Sequence, residues 1–190
     1  FGMFKFNIEQ AEKSLFNYRG KVIVANHPSL IDVVVLISIL PHADCIVKKS
    51  LWNNPFLKGV VKAAGYIKNN EDPENLILSC QKSLDDGFSL IIFPEGTRSQ
   101  PKQVMKLQRG ASNIALRCGA DIVPVILSCI PSTLTKNEPW YSIPDTKAQF
   151  TVRVDKPISI KSFVTSDMHL SVSARRLTEV LKDYLSEEGK

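Results

Sequence analysis

The 190-residue sequence lacks the features that mark a membrane-spanning, secreted or metal-binding protein. Its longest apolar run, residues 33–40, is broken by Ser38 and falls short of the roughly 18 residues that suggest a spanning helix. The cysteines form no C-x-x-C pair and no N-x-S/T acceptor occurs, which favours a reducing compartment and argues against a zinc or redox site. We expect the four cysteines to be small core residues: Cys45, Cys80, Cys118 and Cys129.

The signature motifs of several enzyme classes are also missing. G-x-S-x-G, the P-loop, G-x-G-x-x-G and H-E-x-x-H do not occur. A typical serine hydrolase, P-loop NTPase, Rossmann dehydrogenase or zinc protease is therefore not favoured.

Apolar runs alternate with amphipathic segments along the chain. This pattern predicts one α/β domain over residues 1–190, with a mixed and partly parallel sheet flanked by helices. Because residue 1 is Phe, residues 1–18 are expected to be an N-terminal interfacial segment that has been truncated. Residues 128–147 are predicted to form an exposed or interfacial flap. Strands are predicted at residues 21–25, 44–47, 66–68, 90–93, 122–127 and 149–154, and helices at 29–40, 55–64, 73–86, 111–118 and 172–185.

Positive charge is concentrated in two places. The net charge is 24 − 19 = +5, and neither residues 45–70 nor residues 96–120 contain a carboxylate, although each stretch holds five lysines or arginines. Such concentrations of positive charge attract phosphate, nucleic acid or an anionic membrane. Nucleic acid is not favoured, because these stretches lack interleaved aromatics and no nucleic-acid motif is present.

The first candidate motif follows the predicted strand at residues 21–25. Pro28 keeps His27 out of the helical region, so His27 is expected in an extended turn and Asp32 in the first helical turn. A carboxylate placed there can hydrogen-bond the imidazole, whose other nitrogen could take a proton from a hydroxyl. An alternative is a capping box formed by Ser29 and Asp32, with His27 an ordinary loop residue.

The second candidate motif follows the predicted strand at residues 90–93. Gly96 allows backbone amides to approach a phosphate, and Arg98 can clasp phosphate oxygens in a bidentate fork. Glu95 could accept a hydrogen bond from a ligand hydroxyl or hold Arg98. The alternative is a surface turn with a local Glu–Arg pair.

Three ordered blocks resemble those of the glycerolipid and lysophospholipid acyltransferases, of which the 1-acylglycerol-3-phosphate acyltransferases are best known. They are Asn-His-Pro-Ser-Leu-Ile-Asp (26–32), Phe-Pro-Glu-Gly-Thr-Arg-Ser (93–99) and Ile-Val-Pro-Val (122–125). The resemblance covers roughly residues 20–128. It implies an O-acyltransferase of lipid metabolism that moves an acyl group from acyl-CoA or acyl-carrier protein to a lysophospholipid hydroxyl.

The resemblance also implies roles for individual residues. His27 would be the general base and Asp32 its orienting partner, and no metal or cofactor would be needed. Pro124 would lie near the acyl-donor site. The acceptor's glycerol-phosphate head would be bound by Glu95, Gly96, Thr97 and Arg98.

The sequence departs from the family at one block. Asn70 stands where an arginine is expected, so Lys68 is the candidate to supply that positive charge. Backbone N–H groups near Ser29 are a hypothesis for the oxyanion donors.

Amphiphilic substrates imply a membrane surface as a partner. Residues 51–62 have the composition of an interfacial helix, although the same residues could pack on the sheet. The expected location is the cytoplasmic face of a membrane, peripheral or anchored by a missing N-terminal segment. Two alternative functions remain: a thioesterase or hydrolase using the same pair, and a non-catalytic module that binds anionic lipid.

Overall fold

A computed structural model of the chain describes residues 2–48, 66–69, 72–99, 104–136, 138–139, 141–142, 144–164 and 168–186. The strands are β1 (Phe4–Asn7), β2 (Val22–Ala25), β3 (Ala43–Lys48), β4 (Ile67–Asn69), β5 (Ser89–Ile92), β6 (Ile122–Ile130) and β7 (Ala148–Val154). The α-helices are α1 (Glu9–Leu15), α2 (Asp32–Ile39), α3 (Pro73–Asp85), α4 (Gly110–Cys118) and α5 (Leu170–Ser186), and a short 3-10 helix spans Ile160–Phe163.

The described strands form one seven-stranded sheet in the order β1-β7-β6-β2-β5-β3-β4. Every neighbouring pair is parallel except β6 and β7, which are antiparallel. Strand β2 lies in the middle, with β5 on one side and β6 on the other. The predicted α/β class with a mixed and partly parallel sheet is confirmed.

Helices cover both faces of the sheet, which explains why its central strands are apolar throughout. On β2, Ile23 and Ala25 pack in the cluster beneath α1 and α2. Val22 and Val24 point the other way, into the cluster formed with α3, α4 and α5. The hydrophobic core therefore has two layers, one on each side of the sheet.

Two helices begin or end where their flanking residues require it. The Asp72 carboxylate accepts the N–H of Glu74 and of Asn75, which caps α3, and Pro73 occupies the first helical position. Gly87 (φ 84°) follows α3 and Gly119 (φ 66°) ends α4, both in the left-handed region that favours glycine. These helix boundaries were all predicted from the sequence.

The N-terminal residues form structure that the sequence pattern did not predict. Strand β1 pairs in parallel with β7, and α1 buries Ala11 and Leu15 in the core. An interfacial role for residues 1–18 stays a prediction. Strand β6 continues three residues beyond the predicted end at residue 127. The predicted helix at 55–64 and the segment 51–62 lie outside the described residues.

The cysteines behave as the composition predicted. All four are free, and Cys45, Cys80 and Cys129 are buried, while Cys118 is half-buried. Burial raises the pKa of the Cys45 and Cys80 thiols to about 12, so both stay protonated and pack as small apolar groups. Among the described residues, no helix is long and apolar enough to cross a bilayer, and no cluster of three His, Cys, Asp or Glu side chains could hold a metal ion.

Candidate active site

The first motif leaves the sheet directly after β2. The side chain of Asn26 pairs with the backbone of Leu127 in both directions, with Nδ2 donating to the carbonyl (2.8 Å) and the N–H donating to Oδ1 (2.7 Å). This buried amide continues the pairing of β2 with β6 by one residue. His27 is therefore the first residue free to turn out of the sheet, at the edge where parallel α/β proteins place ligands.

The predicted pairing of His27 with Asp32 is present. Nδ1 of His27 lies 2.7 Å from Oδ2 of Asp32, and the ring packs against Phe93 with centroids 4.4 Å apart. The carboxylate is fully buried, whereas 18% of the histidine side chain is exposed. Because Nδ1 is engaged inward, Nε2 is the nitrogen available to an incoming group.

Only half of the alternative capping box forms. The Ser29 hydroxyl donates to the carbonyl of Thr133 (3.0 Å), and α2 begins at Asp32 with no side-chain cap. The half that forms is the contact of the Asp32 carboxylate with the N–H of Ser29 (2.8 Å). Oδ2 of Asp32 thus serves both this N–H and His27, and α2 starts three residues later than predicted.

Competing effects act on the pKa of the Asp32 carboxyl. Burial raises the pKa of this carboxyl above its usual range, while the hydrogen bonds from His27 and Ser29 act to lower the pKa. Its other oxygen, Oδ1, has no hydrogen-bond partner among the described residues. The carboxylate therefore depends strongly on the few donors that face it.

The second motif is joined to the first by two hydrogen bonds, and a third holds the second turn together. The backbone N–H of His27 donates to Oε1 of Glu95 (3.0 Å), and the Ser99 hydroxyl donates to the same oxygen (2.7 Å). The N–H of Ser99 donates to the His27 carbonyl (2.7 Å). Gly96, at φ 67°, makes the turn between them. Glu95 thus holds His27 and Ser99, and the alternative of a local pair between Glu95 and Arg98 is not formed.

Arg98 contacts a segment that sequence reasoning did not connect with the site. Its Nη1 donates to the carbonyls of Leu134 and Thr135, both at 2.8 Å. The Leu134 carbonyl also accepts the N–H of Leu30 (3.2 Å). We call residues 133–135 the carbonyl strap, because three successive carbonyls bind the two motifs.

The strap corrects the prediction that residues 128–147 form an exposed flap. Tyr141 is exposed, but Thr133 and Leu134 are buried, and Leu134 adopts φ 56°, which is unusual for a leucine. Since its contacts use main-chain carbonyls, which every residue has, no side-chain pattern marks it. The one signal in the sequence is the length of the loop, because long ordered loops are often functional.

Two backbone N–H groups expected as oxyanion donors are already engaged. The N–H of Ser29 is bound by Asp32 and that of Leu30 by the strap. These two N–H groups are therefore not available to a developing oxyanion.

The remaining predicted site residues lie at different distances from His27. Thr97 is exposed in the turn that carries Glu95 and Arg98. Pro124 is buried within β6 beside Val24, inside the sheet. Lys68 lies in β4, three strands away from β2, a spacing of about 14 Å between the strands. Asn70 lies outside the described residues.

Comparison with known proteins agrees with this architecture. A family model described as Acyltransferase matches residues 5–128. A 1-acyl-sn-glycerol-3-phosphate acyltransferase of Helicobacter pylori is 35% identical over 118 residues, which cover 59% of this chain and 50% of that protein. One of Saccharomyces cerevisiae is 31% identical over 176 residues, covering 88% and 56% respectively. The chain spans about half the length of the curated relatives it matches.

The fold is also that of a solved structure. The crystal structure of the 1-acyl-sn-glycerophosphate (LPA) acyltransferase PlsC of Thermotoga maritima matches with a TM-score of 0.66 and 21% identity. The match covers 95% of this chain and 76% of that chain. At this identity the likeness establishes the fold.

The raised pKa of Asp32 predicts how an uncharged replacement changes stability. The folded protein binds the proton of this carboxyl more tightly than the unfolded chain does, so the stability this adds is complete below the unfolded pKa, about 3.9, and is lost as the pH rises through the higher folded pKa. Asp32→Asn is neutral at every pH. We therefore expect its free energy of unfolding, relative to the wild type, to rise as the pH increases above about 4. Urea unfolding at several pH values measures this difference, and a difference that falls with pH would contradict it.

Proposed function

The chain belongs to the acyltransferase family, and from that premise we propose that it moves a fatty acyl group from a thioester to the free hydroxyl of 1-acylglycerol-3-phosphate. The donor is acyl-CoA or acyl-carrier protein. One arrangement carries the proposal. The partly exposed imidazole of His27 lies 2.7 Å from the fully buried carboxylate of Asp32, and the backbone N–H of His27 binds Glu95, which lies in the same turn as Arg98. The names of the relatives support the acceptor.

In the proposed reaction, the acceptor hydroxyl attacks the thioester carbonyl carbon directly. A carbon–oxygen bond forms, the carbon–sulfur bond breaks, and the hydroxyl proton passes to Nε2 of His27. The imidazolium that results is stabilised by the Asp32 carboxylate and can return the proton to the departing thiolate. Because thiolates leave readily, the main tasks of the protein are to position the hydroxyl and to hold the proton acceptor.

Arg98 is suited to bind the acceptor phosphate through one edge of its guanidinium. A guanidinium carries five N–H donors in a fixed plane, and the two on Nη1 face the strap carbonyls. The Nε and Nη2 donors form a second, parallel fork that matches two phosphate oxygens. The strap would fix the direction of that fork before substrate arrives, and Glu95, Gly96 and Thr97 would line the same turn.

We propose that the site works at the cytoplasmic surface of a membrane. The first motif continues into an apolar, solvent-facing stretch in which Leu30 is 51% exposed and Val34 is 68% exposed. Leu30 lies in the turn just before α2, and Val34 lies in its first turn. Exposed apolar groups beside an anion-binding turn suit a lipid whose chain stays in the bilayer while its phosphate reaches Arg98.

The central experiment compares His27→Ala with His42→Ala. Histidine 42 is exposed at the opposite edge of the sheet, so its replacement serves as the matched control. We expect His27→Ala to lower kcat by about a thousandfold, the effect of losing a general base, and His42→Ala to leave it unchanged. Mass spectrometry of the products, with acyl-CoA or acyl-carrier protein and 1-acylglycerol-3-phosphate, measures the transfer.

The same assay separates the alternatives. Free fatty acid as the main product at saturating acceptor would indicate a thioesterase. Binding of anionic lipid without turnover would indicate a non-catalytic module. Near-normal transfer by His27→Ala would contradict the general-base proposal.

Replacing Arg98 tests how the phosphate is held. Lysine offers a point charge without a planar fork, so Arg98→Lys should raise KM for 1-acylglycerol-3-phosphate about tenfold or more. KM for an uncharged monoacylglycerol should change much less. Arg109→Lys, an exposed arginine at the start of α4, is the matched control. An equal change for both acceptors would show that Arg98 does not bind the phosphate.

Vesicle binding tests the proposed membrane surface. The double variant Leu30→Ser with Val34→Ser removes two exposed apolar groups and should weaken binding to anionic vesicles by about tenfold or more. Leu78→Ser, equally exposed at 66% but on a helix of the other layer, should bind as the wild type does. Co-sedimentation measures both, and equal binding by all three proteins would contradict this orientation.

A further inference from the structure

Two buried side-chain atoms have no hydrogen-bond partner among the described residues. They are Oδ1 of Asp32 and Oγ1 of Thr133, and both residues are fully buried. Buried polar groups are nearly always paired, because an unpaired one forfeits its hydration without compensation. These are the two buried side-chain atoms without a partner in the described part of the chain, so we looked for an explanation that covers both.

The two residues belong to the same neighbourhood. The Thr133 carbonyl accepts the hydroxyl of Ser29 (3.0 Å), and the N–H of Ser29 donates to the other oxygen of Asp32 (2.8 Å). Burial raises the pKa of the Cys129 thiol, and the charge of Asp32 raises it further; Cys129 lies four residues before Thr133 in the same segment. Two hydrogen bonds through Ser29 thus connect the main chain of Thr133, whose hydroxyl is unpaired, to the carboxylate that has an unpaired oxygen.

The chemistry of the two atoms is complementary. An ionised carboxylate has about four acceptor positions and no donor, and here one oxygen accepts two hydrogen bonds while the other accepts none. A threonine hydroxyl has one donor that can turn about the Cα–Cβ bond. Such a rotation leaves the carbonyl bond to Ser29 in place.

We propose that Thr133 is a positioning residue of the active site, whose hydroxyl rotates to donate a hydrogen bond to Oδ1 of Asp32, both in the resting protein and during the reaction. The bond keeps the carboxylate ionised and aligned while His27 carries the transferred proton. Thr133 lies outside the three motif blocks, and its role rests on the proposed function of His27 and Asp32.

Thr133→Val provides the sharpest test because valine has nearly the same shape and no hydroxyl. If the hydroxyl had no partner, replacing it by a methyl group would be neutral or stabilising and would leave turnover unchanged. We expect stability to be retained while kcat falls by about tenfold to a hundredfold, the effect of losing a hydrogen bond to a charged group. KM for 1-acylglycerol-3-phosphate should stay close to the wild-type value, and Thr133→Ser should restore kcat.

A spectroscopic readout makes the test independent of turnover. The proton between Nδ1 of His27 and Oδ2 of Asp32 gives a downfield proton NMR signal, which Thr133→Val should move further downfield because a carboxylate that loses a donor accepts more strongly. Thr178→Val is the matched control, since this hydroxyl is bonded to Ser112 on the other layer of the fold. It should leave both the signal and kcat unchanged.

The outcomes are separable. A kcat within about twofold of the wild type together with an unmoved signal would overturn the role of Thr133. If the wild type transfers no acyl group, the proposed function fails, and the NMR signal alone decides whether Thr133 acts on the pair. Should Thr133→Val not fold, Thr133→Ala compared with Thr133→Ser gives the same contrast.

Discussion

The candidate site depends on one buried carboxylate. Asp32 is removed from water, and its Oδ2 is held by the imidazole of His27 and the N–H of Ser29. Burial without those donors would favour the neutral acid, which cannot stabilise an imidazolium. The local backbone supplies this arrangement. Pro28 keeps His27 in an extended turn, and Asp32, the first residue of α2, directs its side chain back into that turn.

The parallel sheet brings this turn to the rest of the site. Strands β2 and β5 are neighbours and end at the same edge, so the segments that follow them meet although they are nearly 70 residues apart. Glu95 and Ser99 then fasten the second turn to the backbone of His27. The carbonyl strap adds a third segment, which reaches the same edge from β6. Few side chains would face substrate, and most of the polar contacts fix the main chain around them.

The sequence predicted those parts of the molecule whose local chemistry is distinctive. A β-branched run gave β2, and Asp72 with Pro73 marked the start of α3. The His–Asp pairing followed from the restriction that Pro28 imposes on His27. Strand β1 was missed because it is four residues long, has two polar positions and depends on pairing with β7. The strap was missed because it binds through main-chain carbonyls, which every residue has. The contact of Glu95 with a backbone N–H was missed for the same reason.

The most direct measurement is a crystal structure of the protein with 1-acylglycerol-3-phosphate and no acyl donor. Our account predicts the free hydroxyl within about 2.6–3.2 Å of Nε2 of His27, the distance required for proton transfer. It also predicts two phosphate oxygens on the Nε and Nη2 edge of Arg98, with Nη1 still bound to the strap. A phosphate bound away from Arg98, or a hydroxyl directed away from His27, would contradict it.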